Sequence, residues 1–175
     1  MQTERLILRP FTLDDAEEYF PLVSHPDILR YTGETPVSSL DDARHILFTR
    51  PLQDYATYGF GRMACIEKAT GKLIGFSGLK FLEDLKEVDV GYRFLPHYWG
   101  KGFATESAIA LIEDGTREHN IERIIGLVES ENNGSINVLK KLGLKFERKV
   151  KLSEDKEGMD MYALHVTSYW TCVGQ

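Results

Sequence analysis

The sequence contains few cysteines and few prolines. Its 175 residues include two cysteines, Cys65 and Cys172, which form no Cys-x-x-Cys pair. This spacing implies neither a disulfide framework nor a zinc site, and the five histidines include no i, i+4 pair. The six prolines against fifteen glycines indicate tight turns rather than a proline-rich linker. We therefore expect a single domain over residues 1–175, without a metal, in a reducing cytoplasm.

Long apolar runs are also absent, and so is an excess of positive charge. No segment approaches the roughly 20 apolar residues that span a bilayer, and residues 1–9 carry charges where a signal peptide has an apolar core. The 27 acidic side chains outnumber the 21 basic ones, which disfavours binding to nucleic acid. The sequence therefore predicts a cytoplasmic protein that binds neither membrane nor nucleic acid.

The hydrophobic content of 42% is arranged with two periodicities. Short apolar stretches bounded by turn residues predict about seven strands, and apolar residues at helical spacing predict about four helices. Because a meander followed by helical crossovers gives a mixed sheet, the sequence predicts a mixed α+β fold. The expected strands are 6–9, 60–67, 72–81, 87–94, 123–129, 144–152 and 159–166, and the expected helices begin near Thr12, Ser39, Ala104 and Gly134.

The most informative stretch is residues 97–106, which places two glycines one residue apart between a predicted strand and a predicted helix. Gly100 and Gly102 let a ligand approach the backbone closely, and the helix N-terminus adds partial positive charge, which suits a pyrophosphate. Lys101 is followed by glycine rather than Ser or Thr, and Thr105 stands where a Rossmann motif has its third glycine, so both of those nucleotide-binding loops are disfavoured. An ordinary helix start is the alternative.

Two other segments make this loop more specific. Residues 90–93 hold a glycine inside a predicted strand, which indicates a bulge or a close backbone approach, and Asn132 stands three residues before Ser135. Together these features resemble the GNAT family of N-acetyltransferases, and specifically its RimJ/RimL-type branch. The segments that carry the likeness are 3–10, 90–106 and 132–143. The resemblance implies the GNAT fold, a twisted and mostly antiparallel central sheet with flanking helices.

The resemblance also implies that acetyl-CoA is the cosubstrate and that no metal takes part. The glycine loop would hold the pyrophosphate through backbone amides, although His97 replaces the Gln or Arg of the family pattern. The pantetheine arm would pair with free backbone groups at 90–93, as an added strand does. The implied cofactor contacts are Val90, Gly91, Tyr92, Arg93, Gly100, Lys101, Gly102, Phe103, Ala104, Thr105 and Asn132.

Acetyl transfer requires a base, because an ammonium group with a pKa of about 10 is not a nucleophile. The resemblance assigns this role to Asp89, acting through water, because family members often place an acidic residue two positions before this glycine. A solvated carboxylate is the alternative for Asp89, and Glu157 and Asp160 are rival bases or contacts for a cationic substrate. The backbone N–H of Val90 or Gly91 is the expected donor to the oxyanion.

The leaving thiolate requires a proton donor. Many GNAT enzymes use a tyrosine in the helix that holds Leu139 here. The RimL-like branch implies Ser135 instead, placed near the sulfur, with helix capping as its alternative role. The expected catalytic residues are therefore Ser135 and Asp89.

The expected activity is transfer of an acetyl group from acetyl-CoA to a primary amine, directly and in a ternary complex. The acceptor is either a protein N-terminus, as the RimJ/RimL-type branch implies, or a small amine. Tyr31, Tyr55 and Tyr58 are candidates to line its cleft. A monomer or a homodimer is expected. The alternatives are an acyl-CoA-binding module without turnover and a phosphotransferase that uses the glycine loop.

Overall fold

The computed structural model describes residues 1–151 and 158–166. Its strands are β1 (Leu6–Arg9), β2 (Arg62–Glu67), β3 (Leu73–Leu82), β4 (Glu87–Phe94), β5 (Arg123–Val128), β6 (Lys145–Val150) and β7 (Met159–His165). They form one seven-stranded sheet in the order β1-β2-β3-β4-β5-β7-β6. Neighbouring strands are antiparallel except β4 and β5, which are parallel. The expected mixed, mostly antiparallel sheet is confirmed.

The helices in the described ranges are α1 (Ala16–Ser24), α2 (Pro26–Leu29), α3 (Leu40–Leu47), α4 (Gln53–Tyr58), α5 (Phe103–His119) and α6 (Asn133–Lys141). The four expected helices are present as α1, α3, α5 and α6. A 3-10 turn precedes α1, and the N–H of Thr12 donates to the Asp15 carboxylate there. α3 begins after a capping box formed by Ser39 and Asp42.

The sequence does not predict α2 and α4. Helices of four and six residues are too short to show a helical period. A π-helical turn, Phe48–Leu52, joins α3 to α4 and contains Pro51, which cannot donate a backbone hydrogen bond to a regular helix. Gly59, with a φ of 78°, ends α4, so β2 begins at Arg62 rather than at residue 60.

Helices cover both faces of the sheet. On one face, α5 and α6 pack through a buried cluster that includes Val90, Ile112 and Leu139. On the other face, α1 and α3 pack through a cluster that includes Leu22 and Leu47.

β4 and β5 are paired near their N-terminal ends and separate beyond that pair. Their parallel register is confined to Asp89 and Ile125, whereas β4 stays paired with β3 along its whole length without a register shift. The bulge expected at Gly91 is therefore wrong. The close backbone approach is confirmed instead, because a Cβ atom on Gly91 would collide with the guanidinium group of Arg62.

Candidate active site

A cleft of about 1310 Å³ opens where β4 and β5 separate. Its walls come from β4, the glycine loop, the start of α6 and the segment that contains α2 and α4. The cleft brings together both predicted catalytic residues and most of the predicted cofactor contacts. The predicted residues that line it are Asp89, Val90, Gly91, Tyr92, Arg93, Gly100, Gly102, Phe103, Ala104, Thr105, Asn132 and Ser135.

The glycine loop enters α5 through two residues in the left-handed region. Gly100 and Gly102 have φ values of 72° and 83°, which favour glycine. α5 begins at Phe103 without a side-chain cap, and the first N–H groups of a helix have no acceptor within the helix. These N–H groups and the helix dipole fit a phosphate anion at this wall of the cleft.

Arg5 and Glu106 brace this loop from outside the cleft. Arg5 donates from Nε to Glu106 Oε2 at 2.7 Å and from Nη1 to the carbonyl oxygen of Lys101 at 2.8 Å. Thr3 Oγ1 donates to Glu106 Oε1 at 2.6 Å. Burial works against ionisation of Glu106, but the hydrogen bonds from Thr3 and Arg5 hold its pKa below the ordinary value. Lys101, a predicted cofactor contact, takes part in this Arg5–Glu106 brace and does not line the cleft.

Asp89 is buried in the sheet, with 8% of its surface exposed. Its Oδ2 lies 2.5 Å from Arg62 Nη2, and its Oδ1 accepts a hydrogen bond from the N–H of Leu127 at 3.2 Å. Burial raises the pKa of the Asp89 carboxyl, and the Arg62 guanidinium opposes that shift. The alternative of a solvated carboxylate is therefore wrong.

Arg62 was not predicted to belong to the site. Its guanidinium group lies across β3 and β4, where Nη1 donates to the carbonyl oxygens of Gly78 and, at 3.1 Å, of Asp89. Gly91 lies opposite Gly78 in the β3–β4 register, and its missing side chain leaves space that the guanidinium group of Arg62 fills. The signal in the sequence is the glycine inside β4.

Ser135 lies beside a tyrosine hydroxyl. The Tyr92 hydroxyl oxygen lies 2.9 Å from Ser135 Oγ and 3.0 Å from the Ser135 carbonyl oxygen, to which it donates. Burial raises the pKa of Tyr92, so its hydroxyl stays protonated. The N-cap of α6 is Asn132, whose Oδ1 accepts from the Ser135 N–H at 3.1 Å. The capping role left open for Ser135 therefore belongs to Asn132.

Asp160, one of the two predicted rival bases, does not join this group. Lys149 Nζ lies 2.6 Å from Asp160 Oδ1, and this hydrogen bond lowers the pKa of Asp160. Asp160 does not line the cleft. Glu157 lies outside the described residues.

Two of the three candidate tyrosines line the cleft. Tyr31 and Tyr58 do so, and Tyr55 does not. The Tyr55 hydroxyl donates to the Arg62 carbonyl oxygen and accepts from the Phe11 N–H at 3.1 Å. Tyr55 therefore joins α4 to the sheet instead of facing an acceptor.

Arg93 contributes its backbone to β4 and turns its side chain toward the α1 face. Its Nη2 lies 2.7 Å from Glu34 Oε2, and its Nη1 donates to the Leu22 carbonyl oxygen at 3.1 Å. Glu34 also pairs with Arg50 at 2.5 Å. These ion pairs fix the wall of the cleft opposite α6.

Two negative findings concern only residues 1–151 and 158–166. No group of three or more His, Cys, Asp or Glu side chains there is placed to hold a metal ion. None of the helices in these ranges is both long and apolar enough to cross a bilayer.

The comparisons with known proteins agree on one family. Residues 5–145 match the family model described as the acetyltransferase (GNAT) domain. The chain belongs to the GNAT acetyltransferase family. A relative within it, the N-acetyltransferase p20 of Bacillus licheniformis, is 32% identical over 166 residues, which cover 93% of this chain and 92% of the relative.

Solved GNAT structures share the fold of this chain. A GNAT acetyltransferase from Bacillus anthracis superimposes with a TM-score of 0.78 at 26% identity, covering 94% of this chain and 97% of that one. Spermidine N-acetyltransferase from Vibrio cholerae, solved with CoA and spermine, gives 0.78 at 18% identity over 95% and 98%. RimL in complex with CoA gives 0.77 at 20% identity over 93% and 95%. The expected GNAT fold is confirmed.

Proposed function

We propose that this GNAT protein transfers an acetyl group from acetyl-CoA to a primary amine, directly and in a ternary complex. The observation that carries the proposal is that one cleft joins the glycine loop, the unpaired edge of β4 and the Ser135 side chain. A cosubstrate with phosphates at one end and a thioester at the other fits this path. The CoA complexes of two proteins with this fold support the same cosubstrate.

The phosphate end of acetyl-CoA binds at the start of α5, where backbone N–H groups are free and the helix dipole is positive. The pantetheine arm lies along residues 90–93 of β4, which follow Asp89, where the described parallel register with β5 ends. Asn132 contributes its side-chain NH2 group, since its Oδ1 is used by Ser135.

The thioester then lies between β4 and α6. The backbone N–H of Val90 or Gly91 stabilises the oxyanion. Ser135 donates a proton to the leaving thiolate, and the Tyr92 hydroxyl orients its Oγ. We assign Asp89 to fixing the point at which β4 and β5 separate rather than to proton removal, because Arg62 and Leu127 occupy both of its oxygens.

For the acceptor we propose an amine that is protonated in solution, either a protein N-terminus, as in the RimJ/RimL-type branch, or a small amine. RimL and the spermidine acetyltransferase, which share this fold, represent the two possibilities. We propose that the protein is cytoplasmic and that it is a monomer or a homodimer.

An acceptor screen tests the function. The protein is incubated with acetyl-CoA and spermidine, an aminoglycoside or peptides with free N-termini, and acetylated product is measured by mass spectrometry together with released thiol. We expect thiol release that depends on one of these amines. Thermal stabilisation by CoA without product from any amine would favour the acyl-CoA-binding module. Stabilisation by ATP and magnesium, with none by CoA, would favour a phosphotransferase.

A further inference from the structure

The Asp54 carboxylate is a buried group that none of the roles above uses. Asp54 lies on α4, has 8% of its surface exposed and lines the cleft. Its Oδ2 is buried and has no hydrogen-bond partner in the described part of the chain. Because leaving a buried acceptor unsatisfied is costly, this oxygen is suited to a donor that arrives with a ligand.

The charges around Asp54 would allow the ammonium group of a ligand to take the place of the Lys80 ammonium group beside it. Lys80 Nζ lies 3.8 Å from Oδ2, beyond hydrogen-bond distance, and 32% of the Lys80 side chain is exposed. Burial raises the pKa of Asp54, whereas Lys80 and Arg62 oppose that shift. Tyr55 and Tyr58, on the same helix, also interact electrostatically with Asp54. An entering ammonium group can make the hydrogen bond that Lys80 does not make.

Asp54 lines the same cleft as the proposed reaction centre and is linked to it through β3 and β4. Lys80, its neighbour on β3, is the register partner of Asp89 on β4. Asp89 directly precedes Val90, one of the two candidate donors to the oxyanion. Both Asp89 oxygens already have partners, so Asp54 is the buried carboxylate beside this point with an oxygen to spare.

We propose that Asp54 binds the ammonium group of the acceptor and removes its proton. This inference rests on the proposed acetyl transfer. Asp54 Oδ2 takes one proton from the ammonium group, and the freed amine attacks the thioester carbon, forming the C–N bond. The C–S bond then breaks, the thiolate takes a proton from Ser135, and the second amine proton restores that hydroxyl. The proton on Asp54 passes to solvent, so one proton is released for each amide formed.

The test compares Asp54→Asn with wild type, using whichever of spermidine or a free N-terminal peptide gives the higher turnover. Asparagine keeps the shape of the side chain but is neither charged nor basic. We expect kcat/KM to fall by about 100-fold or more, as is typical when a general base is removed. The Kd for CoA and the far-UV circular dichroism stay unchanged. Asp41→Asn is the control, since 92% of the Asp41 side chain is exposed and it lies outside the cleft.

A second variant keeps the inference testable if Asp54→Asn does not fold. Lys80→Met removes the nearest positive charge, so the pKa of Asp54 rises and the acid side of the kcat/KM profile moves to higher pH. An unmoved profile, or Asp54→Asn turnover within about threefold of wild type, overturns the role of Asp54 and leaves the acetyltransferase proposal intact. Wild-type protein that acetylates none of the amines of the acceptor screen overturns both.

Discussion

The Asp89 carboxylate accepts a hydrogen bond from the N–H of Leu127, two residues beyond its register partner Ile125 on β5. If the parallel ladder between β4 and β5 continued, a backbone carbonyl of β4 would accept from this N–H. The Asp89 carboxylate accepts from it instead. Arg62 holds the same carboxylate from the β3 side. The Arg62–Asp89 pair therefore marks the point at which the two strands part.

This buried pair predicts a strongly non-additive stability cycle. We expect Asp89→Ala and Arg62→Met each to lower the free energy of unfolding by about 3 kcal/mol or more, because each leaves one buried charge unpaired. The double variant should lose much less than the sum. Urea denaturation of the four proteins measures the coupling. Arg44 and Asp41, an exposed pair 3.6 Å apart, provide the matched cycle with a coupling below about 1 kcal/mol. Strictly additive losses of unfolding free energy at Arg62 and Asp89 would show that the two side chains do not stabilise the fold as a pair.

Gly102→Ala should weaken CoA binding. An alanine at a φ of 83° costs about 1–2 kcal/mol, and relief of that strain moves the N–H groups at the start of α5. We expect the Kd for CoA, measured by calorimetry, to rise about tenfold. Gly71→Ala is the control, because Gly71 has a φ of 70° with open space around it and lies in the β2–β3 turn. Equal affinity of both variants for CoA would argue against phosphate binding at the start of α5.

Ser135 and Tyr92 should behave as one unit in catalysis. We expect Ser135→Ala to lower kcat by about 100-fold and Tyr92→Phe by about tenfold, with little change in KM for the amine. The double variant should be no slower than Ser135→Ala. Steady-state thiol release measures all three, with Ser24→Ala on α1 as the control. Wild-type turnover in Ser135→Ala would end its role as proton donor.

The Arg5–Glu106 brace predicts a loss of stability in acid. The pKa of Glu106 in the folded protein lies below its ordinary value of 4.5, so its contribution is complete above about pH 4.5 and disappears as the pH falls through the lower folded value. Thermal unfolding from pH 7 to pH 3 should therefore show a shallower decline for Glu106→Gln than for wild type. Parallel curves would show that the brace adds no pH-dependent stability.

The sequence predicts the sheet well because the signals of β2, β3 and β4 are local. The turn around Gly71 and the alternating apolar residues beside it define a hairpin without knowledge of the rest of the chain. The short helices α2 and α4 lack such signals. The GNAT motifs likewise predict residues that the structure gathers along one cleft, since the glycine positions are visible in the sequence.

The charged part of the cleft could not be predicted in the same way. Arg62 and Asp89 are separated by 27 residues, and their contact depends on the β2–β3–β4 register. The glycine at position 91 predicts either a bulge or a close backbone approach, but it does not reveal that the group approaching is a guanidinium from another strand. Asp54 belongs to an unpredicted helix, so nothing marked it as different from other acidic residues.

The parallel joint between β4 and β5 also bears on how the protein can be purified and refolded. Asp89 and Ile125 are 36 residues apart and meet only after α5 has crossed the sheet, whereas β2, β3 and β4 follow one another through short turns. Contacts of long sequence separation form late in folding. The gap in which we propose that CoA binds is therefore absent from a partly assembled chain, and a CoA affinity resin should retain only molecules whose folding is complete.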